Sequence, residues 1–166
     1  MPLNLELAFA ERPDVYQAWV ALNTSIKANM DLRRYELATL AAAQRLRSSY
    51  CCLAHGKVLV EQFDAPVAAI VSDRSSAGLD DVDLAVMELA ERVVDDATSI
   101  GDDDLRPLRE LGLSDAEIMD VVLAAAARCF FSKTLDAVGA LPDAHFAELP
   151  RELLDVLVVG RPIASV

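Results

Sequence analysis

Two adjacent cysteines followed closely by a histidine, in RSSYCCLAHGKVL (residues 47–59), are the residues of this chain best placed to do chemistry. A thiolate, not a thiol, is the nucleophile, so the question is what would ionise one of these sulfurs. Ser48 is a favourable N-cap residue, and a helix starting there puts Ser49, Tyr50 and Cys51 in its first turn. The exposed N–H groups and dipole of a helix N-terminus favour the thiolate form of Cys51. His55 lies four residues beyond Cys51 and three beyond Cys52, so one helix face carries all three, and a proton can pass between them directly or through water. On spacing alone two readings stand: an activated nucleophile, or small apolar cysteines buried in an Ala-rich helix with a histidine nearby by chance. Three cysteines and two histidines without a second paired motif do not supply the four ligands of a structural zinc site, so no metal is expected. His145 has no partner in sequence, and the acid runs DDVD and GDDD lack the alternating ligands of a calcium loop, which makes them solvated surface.

The elements that must position this cluster are helical. Pro13 opens PDVYQAWVALNTSIKANM, in which Val15, Trp19, Leu22 and Ile26 recur at helical spacing. Asp31 caps DLRRYELATLAAAQRL, with a broad stripe of Leu37, Leu40, Ala41, Ala43 and Leu46 beside Arg33, Arg34 and Arg45. A helix from Ser48 to about Phe63 carries the cysteines. DAPVAAIVSDRSSAGLDD reads as a loop or short helix, VDLAVMELAERVVDDATSI as a long amphipathic helix, and GDDDLRPLRELG as a helical turn stopped by Gly112. Ser114 and Glu117 form a capping box opening SDAEIMDVVLAAAARCFFSKTLDAVG, whose length and apolarity suggest the central buried helix. Arg128 and Lys133 flank it and are expected to pair with the acid runs. LPRELLDVL makes a last short helix, and VVGRPIASV an extended tail.

At 166 residues with 54% hydrophobic content, residues 1–166 fit a single domain. An aromatic fraction of 5% points to an all-α fold, in which helices pack on helices. The formal charge of −12 opposes binding to phosphate backbones or anionic lipid, so neither nucleic acid nor a membrane surface is an expected partner. No basic, apolar leader opens the chain and no run of eighteen apolar residues follows, so a soluble cytoplasmic protein is expected. Three cysteines, two of them adjacent, make no disulfide framework.

The order of these residues resembles the carboxymuconolactone decarboxylase and alkylhydroperoxidase D superfamily, whose redox members carry Glu, eleven residues, then Cys-x-x-Cys-x-x-x-His. YELATLAAAQRLRSSYCCLAH places Glu36, Ser48, Cys51 and His55 at those positions, with Tyr50 before the second cysteine as the family often has it. RRYEL, GLSDAEIMDVVLAAAARCFF and LPDAHFAELP extend the likeness over most of the chain to peroxidase-related members. The resemblance implies an AhpD-like helical bundle and a thiol-dependent peroxidase, an antioxidant oxidoreductase without a cofactor. Cys51 would attack a small-molecule hydroperoxide, with His55 and Glu36 as its proton relay. Glu36 and Cys51 would be about 22 Å apart in one straight helix, so the chain must turn at Ser48 and Ser49.

One position departs from the family: its first cysteine is Ser48 here, so the dithiol cycle cannot run between these two sites. An adjacent Cys51–Cys52 disulfide is strained, and Cys129 reads as a core residue. An external thiol reductant acting on a Cys51 sulfenic acid is therefore the expected closure, with Ser48 left as a cap and a hydrogen-bond donor to the thiolate. The alternatives are an acid/base decarboxylase or isomerase using Glu36 and His55, for which the sequence marks no anion-binding arginine, and a non-catalytic redox-sensing or oligomerisation module. The family is usually oligomeric, and the apolar excess agrees with a homo-oligomer, dimer or higher.

Overall fold

The computed structural model describes residues 2–165; Met1 and Val166, at the limits of the expected domain and tail, lie outside the described residues. Nine α-helices and no strands occur among those residues: α1 Asn4–Ala8, α2 Pro13–Asn29, α3 Leu32–Arg45, α4 Ser49–Phe63, α5 Val67–Ser72, α6 Asp81–Asp96, α7 Asp102–Glu110, α8 Asp115–Ala137 and α9 Arg151–Leu157. Short 3-10 turns follow α5, α6 and α8. The all-α expectation holds, and the helix starts fall where the caps place them. Asp31 accepts the Arg34 N–H at 3.0 Å, and Ser114 and Glu117 close their capping box. Helix α1 had no sequence signal. GDDDLRPLRELG is a nine-residue helix with Pro107 inside it rather than a single turn.

The central helix is α3, not α8. Nine consecutive residues from Tyr35 to Ala43 are buried, and α3 packs against α4, α6 and α8. Its alanines leave room for neighbours on every side, while Leu37 and Leu40 fill the gaps, each contributing about 1.5–3 kcal/mol by burial. Helix α8 instead keeps one open stripe, Met119, Leu123 and Phe130, all at least 40% exposed. Beside it on α2, Leu22 is 50% exposed although its spacing matches the buried Ile26. The segment after α9 is extended, as expected. It is pinned rather than loose: Gly160 N–H donates to Ser49 Oγ at 2.8 Å and Ala164 N–H to the Pro142 carbonyl at 2.9 Å.

Candidate active site

The site depends on how α3 stops. Arg47 takes the left-handed conformation (φ 55°), its N–H donates to the Gln44 carbonyl at 3.0 Å, and Ser48 N–H donates to the Ala43 carbonyl at 3.0 Å. These two bonds are a Schellman motif built without glycine. The chain reverses there, so α4 runs back along α3 and brings Cys51 and His55 beside Glu36. A straight helix would have kept them far apart.

Glu36 is 1% exposed. His55 Nδ1 lies 2.5 Å from Glu36 Oε2, and Lys27 Nζ from α2 donates to Oε1 at 2.8 Å. A carboxylate on Nδ1 means that the neutral ring carries its proton there and leaves Nε2 as an acceptor. Burial works against the Glu36 charge, but the bonds from His55 and Lys27 outweigh it and hold the carboxyl below its ordinary value. Burial, seconded by the charge of Arg128, lowers His55 to about 4, so its ring is neutral at neutral pH.

Cys51 is 1% exposed, in the first turn of α4 as expected. Its sulfur receives two donors the sequence did not announce: Ser132 Oγ at 3.1 Å and Arg128 Nη1 at 3.6 Å, both from α8. Arg128 Nη2 also donates to the Tyr35 hydroxyl at 3.3 Å, which in turn donates to Asn23 Oδ1 at 2.7 Å. Arg128 is thus a cation of the site and does not pair with the surface acids. The one sequence signal was an arginine and a serine at i, i+4 inside an otherwise apolar helix. Lys27 gave none, because its partner lies on another helix.

Cys51, His55, Tyr50 and Arg128 line a cavity of about 190 Å3 together with Trp19 and Phe131. His55 makes no hydrogen bond to the sulfur, so a proton moving between them must cross the cavity on a bound molecule. The Tyr50 hydroxyl donates to Asp143 and accepts from Leu5 N–H at 3.3 Å, while Asp143 accepts the Asn4 N–H at 2.9 Å. These bonds tie α1 over the cavity. Burial, then Asp143, push the Tyr50 phenol far up, so it stays a donor.

Ser48 does not meet its expectation. It is the N-cap residue by position, but its hydroxyl caps nothing, does not reach Cys51, and is buried with no partner among the described residues. Ser132 takes the donor role instead. Cys52 is fully buried, and burial followed by the neighbouring Cys51 drives its thiol well up. Cys129 sits on α8 one residue past Arg128, turned off the face that Arg128 and Ser132 direct to Cys51. Neither thiol is presented to the Cys51 sulfur. The ring of His145 lies tilted against that of Phe146, centroids 4.2 Å apart, and does not line the Cys51 cavity.

No protein-family model matches the chain, and no curated protein matches it in sequence. Among solved structures it is similar to the alkylhydroperoxidase AhpD core of an uncharacterised peroxidase-related protein from Ralstonia eutropha. The TM-score is 0.79 at 21% identity, over 90% of this chain and 83% of that one. The chain has the AhpD-like fold. An uncharacterised peroxidase-related protein from a Silicibacter species gives a TM-score of 0.78 at 18% identity, over 85% of this chain and 76% of that one. Within this AhpD-like frame no helix among the described residues is long and apolar enough to cross a membrane.

Proposed function

We propose that the chain is a thiol-dependent peroxidase in which Cys51 is the nucleophile and His55 with Glu36 the proton relay. The observation that carries this reading is one cavity lined by the Cys51 sulfur, held by Arg128 and Ser132, and by a histidine fixed by a buried carboxylate. The names of the two structural neighbours, both peroxidase-related, agree with it.

In the reaction the nucleophile is the Cys51 thiolate, to whose sulfur Ser132 and Arg128 donate. It attacks the terminal oxygen of a hydroperoxide, forming the S–O bond as the O–O bond breaks. Neutral His55 takes the peroxide's proton on Nε2 and returns it to the departing alkoxide, while Glu36 stabilises the imidazolium formed in between. Ser48 leaves Cys51 without its resolving partner, so an external thiol reductant restores the enzyme.

The test is hydroperoxide consumption together with mass analysis of the Cys51 peptide. The parent should gain one oxygen at Cys51 and turn over with added thiol, and Cys51→Ser should do neither. A Cys51→Ser protein that consumes peroxide as fast as the parent overturns the reading. A second reading gains from Arg128, which supplies the cation that an acid/base decarboxylase or isomerase would need for an anionic substrate. Under that reading Cys51→Ser keeps activity on a lactone acid and Glu36→Gln loses it.

A further inference from the structure

Arg128 is a buried cation whose side-chain partners among the described residues are a sulfur and a hydroxyl. It is 3% exposed and forms no ion pair with a carboxylate among the described residues. Besides Cys51 and the Tyr35 hydroxyl it meets the ring faces of Trp19 at 6.0 Å and Phe131 at 5.7 Å. Its Nε, like the Nε1 of Trp19, is buried without a hydrogen-bond partner among the described residues, and both residues line the Cys51 cavity. The groups left over there are donors. Elsewhere around the cavity Lys27 pairs with Glu36 and His55 is neutral, while Asp143 lies behind Tyr50, bonded to its hydroxyl and to the Asn4 N–H rather than to Arg128. A buried charge is costly without a counter-charge. The group in contact with Arg128 that can carry a counter-charge is therefore the Cys51 sulfur.

We infer that Arg128 is an anion receptor that oxidation switches on, and that the reductant regenerating Cys51 enters the cavity as a small thiolate. This rests on the thiol-peroxidase reading. In the reduced enzyme Arg128 and the Cys51 thiolate form a neutral pair, and a second anion is repelled by the sulfur, so the substrate admitted is a neutral hydroperoxide. When the S–O bond forms and the O–O bond breaks, the alkoxide leaves as alcohol with the proton that His55 took from the peroxide, and a proton from solvent turns the remaining sulfenate into an uncharged sulfenic acid. Arg128 then faces the cavity without a counter-charge. An incoming thiolate supplies one, attacks the Cys51 sulfur to form a mixed disulfide, and expels the oxygen as water with one proton. A second thiolate attacks the reductant's sulfur in that disulfide, releases the symmetrical disulfide and returns the Cys51 thiolate to Arg128. Two thiolates are oxidised by two electrons for each peroxide reduced. The small cavity and the depth of Cys51 select a small thiol over a protein one.

The experiment is single-turnover reduction of the peroxide-oxidised protein by thioglycolate, 2-mercaptoethanol and cysteamine, each rate corrected for thiolate concentration and basicity. The expected order runs from thioglycolate, the most negative, down to cysteamine, with a spread of about tenfold or more. Arg128→Met should flatten that order and Arg128→Lys should keep it. A parent whose rates follow thiolate basicity alone overturns the inference, whether or not the variants fold. If peroxide never oxidises Cys51, the peroxidase reading falls, and the receptor is then read in Cys51→Ser, where the hydroxyl carries no charge. Benzoate should change the fluorescence of Trp19, the single tryptophan of the chain, at lower concentration in Cys51→Ser than in the parent. Equal or absent responses in the two proteins overturn the anion receptor itself.

Discussion

Cys51 differs from Cys52 only by one step around a helix, yet the two thiols live in opposite surroundings. Cys51 receives a guanidinium and a hydroxyl and lines the cavity, whereas Cys52 is sealed in apolar packing that disfavours its charge. Peroxide should therefore oxidise Cys51 first, and Cys52→Ser should leave sulfenic acid trapping unchanged. Ser48 adds a second expectation. Its hydroxyl is buried without a partner, so Ser48→Cys exchanges an unsatisfied polar atom for a less polar one of similar size and should fold normally. The introduced thiol stands three residues before Cys51 at a helix start, and oxidation should link the two, which non-reducing peptide mapping would detect. Glu36→Gln keeps the shape of the side chain but removes the carboxylate bonded to His55 Nδ1, which under the proposed relay stabilises the imidazolium. Peroxidase kcat/KM should fall by about 10²-fold or more, while Cys51 remains modifiable by alkylation.

The element that makes the site is the α3–α4 turn. Arg47 occupies the left-handed region, which costs a non-glycine residue roughly 1–2 kcal/mol. Its carbonyl oxygen lies only 2.1 Å from where a Cβ on Gly160 would stand. The terminal segment can pass over this turn only because residue 160 has no side chain. Arg47→Gly should raise the denaturation midpoint, a gain of about 1 kcal/mol. Gly160→Ala should lower it, because the clash is with backbone, and should also disturb Cys51 chemistry by moving the turn. An unchanged midpoint in Gly160→Ala would mean that the tail does not hold the turn.

For the whole molecule, buried titratable groups set the response to acid. His55 is depressed from its ordinary 6.5 to about 4, so between those values the unfolded chain binds a proton that the folded one does not. Stability is full above the ordinary value and falls as pH drops through this window. Glu36, held below its ordinary value, extends the loss to lower pH. Denaturant unfolding from about pH 7 to about pH 4 should show this slope, and His55→Gln should remove much of it. Assembly belongs to the same scale. Leu22 on α2 with Met119, Leu123 and Phe130 on α8 forms an open apolar face, and we expect it to be covered by a second copy. Light scattering should then give at least twice the 18.0 kDa chain mass, and Phe130→Asp should reduce it to one chain.

What the sequence by itself determined was local. Caps at Asp31 and Ser114, Pro13 at a helix start and the Ser48 break are statements about neighbouring residues, and the helices begin there. Cys51 and His55 were legible from their i, i+4 spacing, and Glu36 through the resemblance to the AhpD-like superfamily, with a turn at Ser48 and Ser49 needed to bring it near. The tertiary structure decided everything that needed a third helix. Which helix is central depended on packing from all sides, and the alanines of α3 tolerate that better than the longer α8. Arg128 and Ser132 looked like features of an apolar helix until α8 was laid against α4, and Lys27 met Glu36 only when α2 crossed α3. Ser48, the obvious cap, was denied its hydrogen bond by the path of the turn. Sequence periodicity gives a helix face its polarity, but not the identity of the face opposite, and the guanidinium that reaches the Cys51 sulfur comes from there.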